Sequence, residues 1–396
     1  MSEWKEIELR DVCSDIAYGY TASANDAPIG PKFLRITDIA NGPINWSTVP
    51  YCKINEKDSG KYKLDIGDII IARTGATTGY NAVIKNEVDA VFASYLIRYK
   101  VDKKIAEPFF VGYALQSSRF QDYVDAIAGG SAQPGANAQQ FADYEFLLPS
   151  IPEQIQIASI LSSLDDKIDL LHRQNKTLEK LAETFFRQWF VEEAEESWEE
   201  KKLGELLTIT SSKRIFYSEY ISSGIPFYRS KEIIELRNTG TTNSELYISN
   251  ERFDEINNKF GSPKEGDILM TSVGTLGVAY RVRKSEKFYF KDGNLTWFKD
   301  FKGLPSSIVY LWLISKIGQD QLSSITIGST QEALTIEGLK SISFKIPPKE
   351  KIGIYEQEFN AIIHKVNFNQ TQIRTLTQLR DTLLPKLMSG EIRVKN

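Results

Sequence analysis

Residues 151–191 read IPEQIQIASILSSLDDKIDLLHRQNKTLEKLAETFFRQWFV, and this stretch decides the fold. Its apolar residues recur at alternating steps of four and three, which is the heptad pattern of a helix that pairs with another helix. The seam consists of Ile157, Leu161, Leu164, Ile168, Leu171, Asn175, Leu178, Ala182, Phe185 and Trp189. The pattern predicts one long helix that begins just after Pro152.

The same seam recurs 198 residues later, after Pro348, with polar interruptions at Asn369 and Arg380. It consists of Tyr355, Phe359, Ile362, Val366, Asn369, Ile373, Leu376, Arg380, Leu383 and Leu387. Helices of about 35 residues are about 50 Å long, which is more than a domain of about 150 residues can cover. We therefore favour an intramolecular antiparallel coiled coil, with a globular domain at each end, a pseudo-twofold axis, and Asn175 and Asn369 helping to fix the register. The alternative is that each helix packs only on its own domain.

Outward from the helices, the whole second half of the chain repeats the first. WKEIEL at 4–9 matches WEEKKL at 198–203, and GDIIIARTG at 67–75 matches GDILMTSVG at 266–274. Three further matches keep the same order and nearly the same offset: FLRITDI at 33–39 with FYRSKEI at 227–233, GSAQ at 130–133 with GSTQ at 328–331, and FLLP at 146–149 with FKIP at 344–347. A period near 200 residues corresponds to a domain with its connector and indicates a duplication.

These patterns predict an α+β protein with five segments. They are a mixed domain at 1–150, the first helix at 151–191, an acidic linker at 192–200, a second mixed domain at 198–348, and the second helix with a C-terminal tail at 349–396. In each domain, a short apolar run between Gly-Asp and a glycine-bearing turn predicts a buried strand. The spacing at 109–124 and 308–322 predicts one uninterrupted helix in each domain.

Composition and motifs argue against an enzyme. The 396 residues are 41% hydrophobic and 25% charged, and neither a secretory signal nor an apolar run of membrane-spanning length is evident, so we expect a soluble, cytoplasmic protein. Two isolated cysteines and two isolated histidines offer no metal site, and the 73–79 loop lacks the Gly-Lys-Ser/Thr ending of a nucleotide-binding loop. Asp68 and Asp267 precede apolar runs, where aspartate usually makes a turn hydrogen bond rather than acting in catalysis. The chain therefore has the character of a binding protein.

Particular segments of both helices resemble the DNA-specificity subunits of type I restriction-modification systems. In the first helix they are LSSLDDKIDLL at 161–171, QN at 174–175, LEKLA at 178–182 and FRQWF at 186–190; in the tail the segment is LLPKLMSGEIR at 383–393. The resemblance implies a non-catalytic subunit of a DNA adenine methyltransferase and restriction endonuclease complex, with two target-recognition domains. It implies double-stranded DNA and two modification subunits as partners, and leaves restriction subunits as a further possibility. It implies no cofactor in this chain: S-adenosylmethionine would be held by the modification subunit, and ATP and Mg by the restriction subunit.

Positions that differ between matched loops are candidates for base reading, and unequal loops predict an asymmetric two-part target. The predicted DNA-binding residues are Arg35, Thr37, Arg73, Thr74, Thr77, Thr78, Ser131, Gln133, Arg229, Lys231, Thr271, Ser272, Thr275, Ser329 and Gln331. For Arg35 and Arg229, a phosphate contact and an intradomain pair with Asp38 and Glu232 are equally open. The predicted coiled-coil and partner interface consists of Leu161, Leu164, Ile168, Leu171, Leu178, Phe185, Trp189, Phe359, Ile362, Val366, Ile373, Leu376, Leu383 and Leu387.

The competing hypothesis is a coiled-coil adaptor that binds proteins and does not read DNA. The formal net charge of −4 favours it, because neutralising phosphates normally requires a basic surface. The adaptor hypothesis explains the two helices but leaves the duplicated, loop-rich domains without a purpose.

Overall fold

A computed structural model describes residues 4–40, 42–129, 135–328 and 332–394. The chain divides into two compact units. Unit 1 comprises Met1–Asp169 and Leu376–Asn396, and unit 2 comprises Leu170–Thr375. Each unit therefore contains one globular part and segments of both long helices. Over the described ranges, no helix combines the length and the apolar character needed to cross a membrane.

The globular part of unit 1 is built on a four-stranded antiparallel sheet in the order β2-β7-β4-β5. A second antiparallel pair joins β1 to β8, and a parallel pair joins β3 to β6. The strands are β1 Lys5–Glu8, β2 Cys13–Tyr18, β3 Lys32–Leu34, β4 Asp68–Ala72, β5 Asn81–Val83, β6 Ala90–Phe92, β7 Leu96–Val101 and β8 Glu145–Leu148. The helices are α1 Ile36–Ile39, α2 Glu56–Tyr62, α3 Pro108–Ala114, α4 Ser118–Ala128, α5 Ala138–Ala142 and the long α6 Ile151–Arg187.

Unit 2 repeats this arrangement. Its four-stranded antiparallel sheet has the order β10-β16-β13-β14, β9 pairs with β17, and β11 pairs in parallel with β15 and antiparallel with β12. The strands are β9 Glu199–Lys202, β10 Thr208–Thr210, β11 Ile225–Tyr228, β12 Tyr247–Ile248, β13 Ile268–Thr271, β14 Ala279–Arg281, β15 Tyr289–Phe290, β16 Leu295–Lys299 and β17 Ser343–Ile346. The helices are α7 Leu203–Leu206, α8 Ser230–Thr239, α9 Asn250–Phe260, α10 Ser306–Ile314, α11 Lys316–Ser324, α12 Ile336–Ser341 and the long α13 Lys349–Met388. The α+β fold class is confirmed, with two equivalent domains in tandem.

The turn before the central strand shows why both sheets form in the same way. Gly67 and Gly266 adopt positive φ values of 95° and 88°, a backbone region that glycine enters at little cost. The carboxylate of Asp68 accepts from Asp65 N at 2.9 Å, and that of Asp267 accepts from Lys264 N at 3.1 Å. The predicted turn hydrogen bonds are confirmed. Burial raises the pKa of both carboxyl groups.

The predicted single helices at 109–124 and 308–322 are wrong, because each is two helices. In unit 1 the break falls at Ser117, whose side chain accepts from Phe120 N and caps α4. In unit 2 Ser315 accepts from Gly318 N and caps α11 in the same way. A serine that can cap a helix N-terminus competes with helix continuation, and apolar spacing alone does not reveal that competition.

The acidic segment 192–200 is only partly a linker. A π-helical turn, Gln188–Glu192, extends the first long helix, and the last two glutamates belong to β9. This strand pairs antiparallel with β17, with Glu199 opposite Ile346 and Glu200 opposite Lys345. Pairing with a distant strand satisfies the backbone while the glutamate side chains stay in solvent, so charge alone misled the prediction.

Candidate nucleic-acid interface

In unit 1 the predicted reader loop, residues 73–78, leaves the buried strand β4 and is held by two other parts of the chain. Arg73 N donates to Tyr95 O at 3.1 Å, just before β7. Ala136 N donates to Arg73 O at 3.1 Å, which joins the loop to the chain that follows residue 134. Ser131 and Gln133, which were predicted on that second loop, lie outside the described residues.

Unit 2 holds its predicted reader loop, residues 272–276, with the same backbone hydrogen bonds. Ser272 N donates to Asn294 O at 2.9 Å, and Leu334 N donates to Ser272 O at 3.0 Å. The loop is one residue shorter than its counterpart, so the offset between the repeats falls from 199 before it to 198 after it. Ser329 and Gln331 lie outside the described residues. The same backbone hydrogen bonds therefore hold two loops of different length and sequence.

Within the 73–78 loop, the hydroxyls of Thr77 and Thr78 contact the loop's own backbone, whereas Arg73 contacts an aromatic side chain. Thr78 is buried and its hydroxyl donates to Gly75 O at 2.7 Å, so its prediction is corrected from base reading to stabilising the turn. Thr77 makes a longer contact of 3.4 Å to Thr74 O, and both of these side chains are half-buried. Arg73 places its guanidinium 5.1 Å from the ring centroid of Tyr18. The loop thus presents one cation, held against an aromatic ring.

Two predicted contacts in unit 2 are corrected, because the side chains are inside the protein. Thr271 is 0% exposed and its hydroxyl accepts from Val278 N at 3.0 Å. Ser272 is 3% exposed and its hydroxyl hydrogen-bonds to that of Thr296. Neither has free surface for a base, whereas Thr275 is exposed at the loop tip. Both faces of β13 are covered by hydrophobic clusters, so Thr271 at its end and Ser272 just after it are buried although adjacent residues point to opposite faces. A comparison of matched loop sequences does not reveal that both faces are covered.

The recurring arginines Arg35 and Arg229 take part in ion pairs within their own units. Arg35 binds Asp38 through Nε at 3.0 Å and Nη2 at 2.9 Å, and the hydrogen bond to Asp38 raises the pKa of Arg35. Arg229 binds the fully buried Glu232 at 2.7 Å and also Glu245 at 2.9 Å. These are the intradomain pairs that the sequence left open, and a phosphate contact by either arginine stays a prediction.

The two remaining candidates stand one position into the helices that follow these arginines. Thr37 on α1 is exposed, and so is Lys231 on α8, which binds Glu245 at 2.6 Å. Hydrogen bonding to Glu245 raises the pKa of Lys231. Thr37 therefore presents a free surface, whereas Lys231 would have to exchange an internal partner for DNA.

The predicted helical seam is buried along both units. All fourteen predicted interface residues are buried or half-buried. In unit 2, Trp189 stacks on Tyr355 with centroids 4.3 Å apart, and Asn369 Nδ2 donates to Asn175 Oδ1 at 2.9 Å. The step of 14 residues back from Trp189 to Asn175 along the first long helix thus corresponds to the step of 14 residues forward from Tyr355 to Asn369 along α13. The two helices are therefore antiparallel.

The seam also packs on the globular parts, so the two sequence hypotheses for the helices are not exclusive. In unit 1, Leu161 and Leu387 belong to the same hydrophobic core as Phe110 and Phe146 of the sheet domain. Arg380, which interrupts the apolar seam, binds Asp165 at 3.1 Å. This ion pair explains why a charged residue is accommodated at a seam position.

Sequence reasoning missed a polar clasp at the end of the chain in unit 1. Arg393 binds Glu153 on α6 at 2.6 Å and 3.0 Å, and Trp4 Nε1 donates to the same carboxylate at 3.2 Å. The arginine also lies 5.2 Å from the Trp4 ring centroid. The family resemblance includes this terminal segment, but no neighbouring residue indicated that Arg393 would bind a glutamate 240 positions away.

Among the described residues, no group of three or more histidine, cysteine, aspartate and glutamate side chains is placed to hold a metal ion. Cys52 is buried, and Cys13 is half-buried with its pKa raised to about 12, mainly by burial. Cys52 belongs to one hydrophobic cluster of unit 1, and Cys13 packs against another.

Comparisons with known proteins are consistent along the whole chain. A family model described as "Type I restriction modification DNA specificity domain" matches residues 1–180 and 195–383. The MjaIX specificity subunit of a type I restriction enzyme from Methanocaldococcus jannaschii is 26% identical, covering 99% of this chain and 94% of that protein. The HindI specificity subunit from Haemophilus influenzae is 22% identical, covering 99% and 100%. A crystal structure of a type I restriction-modification S subunit from M. genitalium aligns with a TM-score of 0.63 at 18% identity, covering 97% of this chain and 96% of that one.

Proposed function

Because this chain belongs to the family of type I restriction-modification DNA specificity proteins, we propose that each of its units reads one half of a two-part DNA target. The chain is a non-catalytic, sequence-specific DNA recognition subunit. It binds DNA and assembles with other subunits of a restriction-modification system. The two half-sites differ in sequence, so the target is asymmetric.

One observation carries this proposal: the two units share a backbone frame but present different side chains from it. The bonds from residue 73 to Tyr95 and from residue 272 to Asn294 are equivalent, yet the first loop begins with a half-exposed arginine and the second with a buried serine. A common frame maintains the position of the loop relative to the duplex, whereas different side chains meet base edges differently. Two identical half-sites could be read by identical loops, so they would not require different side chains at residues 73 and 272.

We propose that the spacing between the two half-sites depends on the length of the two long helices. The helices α6 and α13 contain 37 and 40 residues, which corresponds to about 55–60 Å of helix. Two half-sites read from one side of the duplex have centres about one helical turn apart, roughly 34 Å. A stiff helix pair favours one such spacing over others and so acts as a ruler.

The ruler is tested by inserting seven residues into both helices at matched seam positions. A full heptad preserves the apolar seam while it lengthens each helix by about 10 Å, so the preferred spacer in the DNA target should change. A two-residue insertion serves as the control, because it turns the following apolar residues by about 200° around the helix, away from the seam, and should reduce assembly instead. Selection of targets with the original spacer by the heptad variant would disprove the ruler.

The chemistry belongs to the partners of this chain. We propose two modification subunits that hold S-adenosylmethionine and methylate adenine, and two restriction subunits, where the host has them, that use ATP and Mg. The net charge of −4 agrees with this division, because the partners then supply most of the basic surface that neutralises phosphates. The alternative of an adaptor that does not read DNA is not favoured, since the family match covers both globular parts.

The experiment uses this chain in complex with its cognate modification subunit and S-adenosylmethionine. Methylation of a random DNA library followed by sequencing should give one motif with two different halves and an unread gap. Replacing residues 1–149 by a copy of residues 195–347 should then give two identical halves. A motif that is continuous, or one that the replacement leaves unchanged, would contradict the proposal.

A further inference from the structure

Three positions at the loop end of each sheet are structurally equivalent in the two units. The backbone bonds already described align Arg73 with Ser272 and Tyr95 with Asn294. Strand register supplies the third pair. Ile16 lies opposite Tyr99 and Ile209 lies opposite Phe298 in the equivalent strands, which places Tyr18 and Ser211 at the same position. We call Tyr18, Arg73 and Tyr95 the reader edge of unit 1, and Ser211, Ser272 and Asn294 the reader edge of unit 2.

The reader edge of unit 1 has a cation without an acidic partner. Within the described part of the chain, the side chain of Arg73 forms neither an ion pair nor a hydrogen bond, and its Nε is buried without a partner. The guanidinium carbon of Arg73 lies over the Tyr18 ring, 5.1 Å from its centroid. Tyr18 and Tyr95 are 44% and 58% exposed, so both side chains are accessible from solvent. An arginine that lies over an aromatic ring and has no acidic partner keeps the donors of its fork available for an outside acceptor.

The reader edge of unit 2 offers different chemistry at the same positions. The hydroxyl of Ser211 is engaged with Leu295 O and Gly293 N, and Ser272 is buried. Asn294 is exposed, and in the described ranges its amide makes no side-chain hydrogen bond. The position equivalent to Tyr95 therefore presents an amide with one donor group and one acceptor.

We infer that the reader edge of unit 1 selects a guanine through Arg73, and that Asn294 at the reader edge of unit 2 selects an adenine. This inference rests on the proposed function. Arginine binds O6 and N7 of guanine with two parallel hydrogen bonds, and the amide of asparagine binds N6 and N7 of adenine in the same bidentate way. The Tyr18 ring, over which the guanidinium lies, limits the orientations of the arginine fork.

A base contact fits these positions better than a phosphate contact. Every half-site has the same phosphate backbone, so residues that position the backbone are expected to recur in both units. Arg35 and Arg229 do recur, together with their acidic partners. Arg73 is replaced by a serine in the equivalent position, and its whole reader edge changes with it. Residues that discriminate between two base sequences are expected to differ between the units while the backbone that holds them stays the same.

The test compares reader-edge variants of the complex with the modification subunit by methylation of a random library. Arg73→Ser should abolish the guanine preference at one position of the first half-site, a loss of about tenfold to a hundredfold in discrimination. Arg73→Lys should lose the same preference while methylation of all targets changes little, because lysine keeps the charge but not the fork. Asn294→Ser should relax one adenine position in the second half-site only.

The unaffected half-site is an internal control for folding in every variant. Arg119→Ser, which removes an exposed ion pair with Glu6 in the same unit, should leave both half-sites unchanged. A uniform fall in methylation with Arg73→Ser, or retention of the guanine preference in both Arg73 variants, would overturn the inference while the two-part motif stands. Failure of the unaltered complex to show a two-part motif would instead overturn the proposed function.

Discussion

Replacing Trp189 with alanine tests whether the aromatic cluster in unit 2 holds the helix pair together. The Trp189 ring stacks on Tyr355 at 4.3 Å with 5° between the planes and on Phe185 at 4.7 Å with 12°, and it lies 5.2 Å from Phe359. Each aromatic pair contributes about 0.5–1.5 kcal/mol beyond the burial of area. Because the side chain is half-buried, the burial itself adds about 1–2 kcal/mol.

These contributions predict a loss of about 3–5 kcal/mol in the free energy of unfolding, which is also the usual cost of truncating a core tryptophan. A unit of about 200 residues then melts about 6–20 °C lower. Circular dichroism at 222 nm during thermal unfolding measures the shift, and the transition of unit 2 should move more than that of unit 1.

Leu181→Ala is the matched control on the same helix. Leu181 is 41% exposed, so its truncation should cost less than about 1 kcal/mol. Trp189→Phe keeps one ring in the stack and should fall between the two. If Trp189→Ala proves no more harmful than Leu181→Ala, the stacked rings do not stabilise the helix pair and the reasoning is refuted.

Three further predictions follow from polar groups inside the units. Burial raises the pKa of Asp267 in the folded chain. The stability that comes from its protonated form is therefore complete below the ordinary carboxyl pKa of about 3.9 and is lost as the pH rises through the raised pKa. Urea unfolding of Asp267→Asn between pH 3 and 7 should show a flatter pH dependence than that of the unaltered chain. Replacing both Asn175 and Asn369 by leucine should raise the free energy of unfolding by about 1–3 kcal/mol and so raise the midpoint of thermal unfolding, because the buried Oδ1 of Asn369 has no hydrogen-bond partner. A lower midpoint would show that the polar pair stabilises the helices more than its burial costs. Arg393→Met should lower the urea concentration at which unit 1 unfolds, since Glu153 is left with only the Trp4 indole as a partner; unchanged urea unfolding would show that the clasp contributes nothing.

The helices and the duplication were predictable because both are periodic or repeated in the sequence itself. The heptad steps from Ile157 to Trp189 identify a buried stripe without any knowledge of its partner, and α6 runs over nearly the predicted range. The Gly-Asp turns before β4 and β13 were equally readable, because the glycine conformation and the aspartate hydrogen bond involve near neighbours. Local chemistry therefore gave the α+β class and the repeated layout.

The candidate DNA interface was only partly predictable. The two loops predicted to read DNA were chosen from matched segments of the sequence, and their DNA contacts stay a prediction. The matched segments did not show that Thr271 and Ser272 are buried. Nor did they show that Arg35 and Arg229 bind carboxylates of their own units. Each outcome depends on side-chain direction or on a competing internal partner, and neither is visible in a comparison of matched segments.

By itself, the sequence determined a duplicated α+β chain with two long, seam-bearing helices, because burial patterns of period 3.5 and repeated turns are written into neighbouring residues. Only the tertiary structure brought Tyr18, Arg73 and Tyr95 to one edge, and only it placed Glu199–Lys202 in a strand beside Ser343–Ile346. These contacts join residues tens to more than a hundred positions apart. Such contacts form when the core closes, and no local period specifies which distant partner a side chain will meet.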